Sequence, residues 1–249
     1  GIIQGLTEFL PISSSGHLVI GKELLGIKTN GLFLEVVLHL GTLLSILIFY
    51  YNDINKLILD VIANKNNSRK YIIFIAVSII PVLFVGLFFK DNIEMFYSVS
   101  FVKYIYILCG MVLLSTYIFK SESNRDIVFL SALIIGISQI FALLPGLSRS
   151  GITISVAILL GISNQEATKF SFLMAIPLLF GAGFLEFISL KDYSKIFDIS
   201  LLVAFISSFI TGYLVISWLL KIIIRGKFYL FSIYCFVLSF ILFIKLIIY

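Results

Sequence analysis

The chain has 249 residues, of which 60% are hydrophobic and only 12% charged, and its mean hydropathy is +1.14. Soluble domains run at about half apolar and about a quarter charged, so a soluble core, a disordered chain, a nucleic-acid module and a coiled coil are excluded, and lipid must be the solvent for much of the surface. The net charge of +5 sits in the loops and bears on topology rather than on a basic binding face.

In chain order the first feature is unusual. Residues 1–26 read apolar, break at Pro11, Ile12, Ser13, Ser14, Ser15, Gly16 and His17, then read apolar again for about ten residues. A crossing helix needs about 20 mostly apolar residues, and irregular backbone at membrane depth is tolerated only inside protein or against a water-filled cavity. This segment is therefore expected to be a re-entrant helical hairpin. The chain opens at Gly1 already within an apolar stretch, and a short upstream piece of the first helix is expected.

Spans follow at roughly 31–50, 71–89 and 101–119, with polar loops at 52–70, 90–100 and 120–126. Residues 127–161 then repeat the broken pattern around Pro145, Gly146, Leu147, Ser148, Arg149, Ser150 and Gly151, giving a second expected hairpin. Three more spans, at about 167–189, 199–220 and 228–248, are separated by loops at 191–198 and 221–227. The sequence thus predicts an all-α polytopic membrane protein with six transmembrane helices and two re-entrant helical hairpins. Cys109 and Cys235 lie inside apolar runs with no metal-ligand spacing and read as membrane-core thiols.

The two broken segments align without gaps at an offset of 135 residues. Gly1, Gln4, Ser13, Ser15 and Gly16 fall on Gly136, Gln139, Ser148, Ser150 and Gly151, and Leu24, Leu25 and Gly26 fall on Leu159, Leu160 and Gly161. Leu/Ile-rich helices do not align Gln, Ser and Gly by chance, so an internal repeat with halves 1–126 and 127–249 is expected. Three spans per half is an odd number. With both hairpins turning back, the repeat is inverted and the hairpins enter from opposite faces. Ten basic residues (Lys56, Lys65, Arg69, Lys70, Lys120, Arg125, Lys169, Lys221, Arg225 and Lys227) fall on one face, against seven lysines on the other, which assigns the first face to the cytoplasm.

Ionisable groups deep in a membrane are functional candidates. Glu8, His17 and Arg149 sit at or beside the two breaks, among Gln4, Thr7, Ser13, Ser14, Ser15, Ser148, Ser150 and Thr153. One half carries the carboxylate and the imidazole, and the other carries the guanidinium. Arginine's planar fork and serine-rich helix starts favour an anion with several oxygens. A carboxylate beside them fits a divalent cation or proton handling, and together the set fits phosphoryl transfer. Each group has a plain structural alternative: serines as helix caps, Arg149 as a neutralising partner for Glu8, His17 as a satisfied polar contact. Glu35, His39 and Glu186 lie within spans, with Glu35 and His39 on one helix face, and either border the cavity or pair structurally.

Residues 4–17, with Gln4, Glu8, Pro11, Ser13, Ser14, Ser15, Gly16 and His17, resemble the first signature of the bacterial undecaprenyl-diphosphate phosphatases, the bacitracin-resistance family. Residues 144–153, with Pro145, Gly146, Ser148, Arg149, Ser150, Gly151 and Thr153, resemble its second signature, and the likeness extends over 33–44, 170–177 and essentially the whole chain. The resemblance implies six spans with two opposed hairpins in a bacterial plasma membrane. It implies hydrolysis of undecaprenyl diphosphate to the monophosphate and phosphate, which recycles the lipid carrier for peptidoglycan synthesis and confers bacitracin resistance. It also implies Mg²⁺ or Ca²⁺ as cofactor and a site opening to the outer face. Carried over by position, the catalytic residues are Glu8, Ser14, His17 and Arg149. The diphosphate ligands are Ser13, Ser15, Ser148, Arg149, Ser150 and Thr153, and the metal ligands are Glu8 and Gln4. Many family members have Glu where Gln4 stands, so an ionised ligand at this position is not implied. The competing expectation is a transporter or flippase of a lipid phosphate, since inverted repeats with broken helices are a transporter design.

Overall fold

The computed structural model describes residues 1–26, 32–89, 92–93, 95–119, 124–189 and 199–248. Among them the chain is all-α, with eleven helices and one isolated parallel bridge, Arg125 to Ile162. The first hairpin is α1 (Ile2–Phe9) and α2 (Ser14–Leu25). Three helices follow, α3 (Leu32–Phe49), α4 (Tyr51–Ile62) and α5 (Asn66–Phe88), then α6 (Val99–Ile118). The second hairpin is α7 (Phe129–Ile140), continued by a 3₁₀ turn (Phe141–Leu143), and α8 (Arg149–Leu159). The chain ends with α9 (Asn164–Ser189), α10 (Ile199–Ile224) and, after a 3₁₀ turn at Phe228–Leu230, α11 (Phe231–Ile248).

Five helices are long and apolar enough to cross a membrane, and α3 with α4 makes a sixth candidate bent by 70°. These six correspond to the six expected spans. Both arms of each hairpin are short. The longest, Phe129–Leu143, has 15 residues and rises about 22 Å at 1.5 Å per residue, less than the roughly 30 Å of hydrocarbon. The arm 127–144 therefore turns back rather than spans.

Two expected loops need correction. Residues 52–70 are not a loop: α4 occupies most of the first half, and α5 begins at Asn66. The reason is periodicity. Ile54, Leu57, Ile58 and Val61 recur at helical spacing against Asn52, Asp53, Lys56 and Asp60. None of the α4 residues is buried, and Ile58, Leu59 and Ile62 are exposed. That is the pattern of a helix lying in the membrane interface. Likewise α10 runs on to Ile224, so only the end of 221–227 is a turn. The expected loop 191–198, the basic residues Lys28, Lys90 and Lys120, and the side chain of Glu186 lie outside the described residues.

The packing positions the hairpins. α3 lies against α9 and α10, and α6 against α11. The arm α1 packs on α10 much as α7 packs on α5. Lipid-facing positions are large and apolar, as with Ile80, Phe84, Leu87 and Phe88 on α5, and Leu214 and Trp218 on α10. The interior core instead gathers Phe9, Tyr106, Phe170, Phe172 and Ile216.

Candidate active site

The tips of the two hairpins meet. Ser13 sits between α1 and α2 with φ of 65°, a left-handed conformation that a non-glycine residue keeps only when its surroundings hold it. Its hydroxyl accepts from Gly16 N at 3.2 Å, capping α2, and from Gly146 N of the second tip at 3.1 Å. In the second hairpin Ser148 caps α8 by accepting from Gly151 N at 3.1 Å. Ser148 and Ser150 donate to the carbonyls of Leu10 and Phe9, at 3.4 and 3.1 Å. The offset pairs thus play the same part twice: Ser13 lies 3.2 Å from Ser15, and Ser148 lies 3.1 Å from Ser150. Glycine is required where the tips touch. Gly146 has φ of +101°, and a Cβ on Gly16 would fall 2.6 Å from the Tyr106 hydroxyl and 2.9 Å from the Gly146 Cα.

Around this junction the ionisable groups assemble. The end of α1 delivers Glu8, which is 8% exposed. Its Oε1 accepts from Arg149 Nη2 at 2.7 Å, and its Oε2 accepts from Ser14 Oγ at 2.7 Å and from Gln4 Nε2 at 3.1 Å. Arg149, at the start of α8, also reaches the Ser171 carbonyl at 3.5 Å. Thr153 braces it from behind, donating to the Arg149 carbonyl at 2.7 Å and meeting Ser171 Oγ at 2.7 Å. A buried carboxylate–guanidinium pair keeps its charge only because each ion neutralises the other. Removing one partner leaves an uncompensated charge, at a cost of about 3–5 kcal/mol.

A cavity of about 690 Å³ opens over this cluster. Glu8, Ser13, Ser14, Ser15, Ser148 and Arg149 line its polar end, together with Glu35, His39 and Gln139. Its remaining wall is apolar, with Val82, Leu83 and Leu87 of α5, Leu143 and Leu147 of the second tip, and Leu178, Leu179 and Phe184 of α9. Both wall helices carry an internal proline, Pro81 and Pro177, immediately before their lining residues. Proline removes one helical hydrogen bond at that point. A polar end set in an apolar wall suits an amphiphile with an anionic head.

The structure brings Glu8, Ser13, Ser14, Ser15, Ser148 and Arg149 together at the cavity. Gln4, Thr7, Ser150 and Thr153 do not line it. Gln4 lies behind Glu8, Thr7 donates to the Ile3 carbonyl at 2.8 Å, and Ser150 and Thr153 hold the second tip from within. His17 also points away. Its Nδ1 lies 2.7 Å from the Ser13 carbonyl and 2.9 Å from the Tyr106 hydroxyl, and its Nε2 lies 2.6 Å from the Tyr234 hydroxyl. The sequence holds no signal for these contacts with Tyr106 and Tyr234. His39 and Glu35, left open by the sequence, both border the cavity. His39 Nε2 is 3.6 Å from Glu8 Oε2, and Glu35 pairs with Lys22. Gln139 was legible as the offset partner of Gln4, although the repeat did not mark it as a site residue.

For a divalent cation the donors are oxygen-rich. Among the described residues no cluster of three or more His, Cys, Asp or Glu converges. Yet Gln4 Oε1 is fully buried with no hydrogen-bond partner, one helical turn from Glu8. As placed, Gln4 turns Nε2 rather than this oxygen toward Glu8 and does not line the cavity, so Glu8 is the group that fits a hard cation whose other ligands come from phosphate and water.

Fold and site together define a polytopic membrane protein with an ion-paired carboxylate and a serine hydroxyl at the junction of two re-entrant hairpins, the equipment of a membrane-embedded hydrolase. Residues 1–241 match the family described as Bacitracin resistance protein BacA, and the chain belongs to that family. It is similar to the undecaprenyl-diphosphatase of Halothermothrix orenii, 39% identical across 96% of this chain and 93% of the relative. Its likeness to the undecaprenyl-diphosphatase of Buchnera aphidicola is 42% over 96% and 92% of the two chains. The Bacteroides thetaiotaomicron enzyme of the same name is 38% identical over 94% and 92%.

Proposed function

We propose that this protein hydrolyses undecaprenyl diphosphate to undecaprenyl monophosphate and inorganic phosphate, returning the lipid carrier to peptidoglycan synthesis and conferring bacitracin resistance. The observation that carries the reading is the shared carboxylate of Glu8. One of its oxygens holds Ser14 Oγ and the other holds Arg149, each at 2.7 Å, at the polar end of a lipid-compatible cavity. The isoprenyl tail stays against the apolar wall and the bilayer while the diphosphate enters between the hairpin tips.

In this mechanism Arg149 binds the diphosphate oxygens through its fork, and the N-terminus of α8 adds backbone N–H groups. Ser14 Oγ attacks the terminal phosphorus as Glu8 Oε2 takes its proton. The bond from that phosphorus to the bridging oxygen breaks, and the monophosphate leaves with the bridging oxygen. The proton on Glu8 passes to the departing monophosphate, and the carboxylate so restored takes a proton from water as that water cleaves the phosphoserine and releases phosphate. A divalent cation held by Glu8 supplies charge neutralisation on the phosphate oxygens when bound. Ser13, Ser15 and Ser148 orient the head group. His17 acts from outside the cavity, keeping the first tip in place through Ser13 and the two tyrosines.

The cavity opens to the outer face in this reading. Its lining comes from the start of α3 and the ends of α5 and α9, and the neighbouring segments hold the less basic set of lysines, Lys22, Lys28, Lys90 and Lys191. The halves 1–126 and 127–249 form an inverted repeat, a reading supported by the matching caps of Ser13 and Ser148. The test of the covalent step is acid quenching with terminally ³²P-labelled substrate. Label on Ser14 in a slow-hydrolysing variant is expected. Rapid hydrolysis with no trapped label in any variant would replace Ser14 with water as the nucleophile.

A further inference from the structure

The wall of the cavity is incomplete between α5 and α9. Near their starts these helices pack together, and the rings of Tyr71 and Phe170 meet edge to face at 5.7 Å. Further along, each is held by a different neighbour. A Cβ on Gly136 of α7 would fall 2.5 Å from the Ser78 carbonyl oxygen of α5, and one on Gly183 of α9 would fall 2.9 Å from Leu40 of α3. Past Pro81 and Pro177 the cavity, not a packed seam, lies between α5 and α9. Two cavity-lining positions in that stretch have no side chain to close it. A Cβ on Gly181 of α9 meets nothing within 4 Å, and one on Gly86 of α5 meets only Leu143 Cδ2, at 3.9 Å. Beside them Leu87 and Phe184 also line the cavity, yet they are 61% and 55% exposed, as side chains on the rim of an opening are.

We infer that this gap between α5 and α9 is the lateral opening by which the substrate's isoprenyl chain passes from the cavity into the bilayer, and that Gly86 and Gly181, by keeping it open, determine the chain length accepted. The inference rests on the proposed hydrolysis and names the residues that select its substrate. Size is the first argument. The cavity of about 690 Å³ is of the size that encloses a drug-sized ligand. A diphosphate head with roughly two isoprene units fits such a volume, and a chain of eleven units does not, so the remainder has to leave. Polarity is the second. Glu35 and His39 border the cavity on the α3 side, and hydrocarbon laid over them would strip their water without replacing its hydrogen bonds. On the α5 and α9 side the chain meets Leu83, Leu87 and Phe184. Continuity is the third: Ser14 and Arg149 line the polar end of the same cavity, so head and chain are housed without a break.

The test sets chain length against the width of the gap. Full-length protein in lipid nanodiscs, parental or carrying Gly86→Phe or Gly181→Phe, is given undecaprenyl diphosphate and, separately, a C10 isoprenyl diphosphate short enough to stay within the cavity. The expected result is a kcat/KM for the C55 substrate lowered about tenfold or more, with that for the C10 substrate within about twofold of parental. Retained C10 hydrolysis shows that each variant is folded and chemically intact. Equal loss on both substrates, or loss on neither, overturns the lateral opening. Retention of each lipid in native mass spectrometry separates this inference from the hydrolase reading. Parental protein that retains both lipids and releases no phosphate overturns the hydrolase alone. The opening is then upheld if Gly181→Phe loses the C55 lipid and keeps the C10 lipid, and overturned if it keeps or loses both.

Discussion

At the scale of single residues, the site depends on one carboxylate serving two partners. Glu8→Gln keeps the shape and removes the charge, so it weakens the hold on Arg149 and removes the group that the proposed mechanism uses as the base beside Ser14. General-base catalysis contributes about 10²–10⁴-fold. Phosphate release is expected to fall by about that factor in Glu8→Gln, together with a lower unfolding temperature, since Arg149 then loses its counter-ion. Arg149→Lys is expected not to restore what Arg149→Ala loses, because a point charge on a flexible stem cannot replace a planar fork. Steady-state phosphate release measures both, and near-parental activity in Arg149→Lys would remove the fork from the account. These residues were legible in the sequence because charge is expensive at membrane depth, and Glu8 and Arg149 stand out against apolar neighbours. The roles of His17 and His39 were not legible. Both are lone histidines in apolar runs, and only the tertiary contacts, two tyrosine hydroxyls for one and the Glu8 carboxylate for the other, tell them apart.

At the scale of elements, the hairpins hold the chemistry because their breaks are capped twice over, within and between hairpins. Ser148→Ala removes the α8 cap, worth about 1 kcal/mol, together with its donation to the Leu10 carbonyl. Gly16→Ala places a methyl group against Tyr106 and the Gly146 backbone. Overpacking of this kind costs about 1–3 kcal/mol. Thermal unfolding in detergent is expected to show Gly16→Ala as clearly destabilised, and an unchanged midpoint would mean that the tips are not in close contact. α4 makes a separate prediction. A nitroxide at Ile62 is expected to be quenched by oxygen dissolved in lipid, and one at Lys56 by a water-soluble relaxant. Equal aqueous quenching at both positions would lift α4 off the membrane. The spans and hairpins were readable from run length and helix breakers, which act locally. α4 was missed because its polar residues mimic a loop when counted rather than placed on a helix, where Ile54, Leu57, Ile58 and Val61 form one stripe.

At the scale of the whole molecule, neither hairpin alone makes the site. The first supplies Glu8 and Ser14, the second supplies Arg149, and α3, α5 and α9 enclose the cavity that joins polar tips to an apolar wall. This division explains how a substrate that is mostly hydrocarbon can be hydrolysed by a protein with few charges. The matching serines and glycines at two breaks 135 residues apart were legible in the sequence, and in the structure both breaks lie at the junction of the tips. The cavity itself depends on packing among helices far apart in the chain and has no linear signature. The most direct test is phosphate release from a C15 or C55 isoprenyl diphosphate by purified full-length protein, with divalent cation and with chelator, beside Arg149→Ala. The expected result is release that requires the cation and is abolished in Arg149→Ala. Undiminished release by folded Arg149→Ala, or no release from folded parental protein, would contradict a hydrolase built at the junction of the two hairpins.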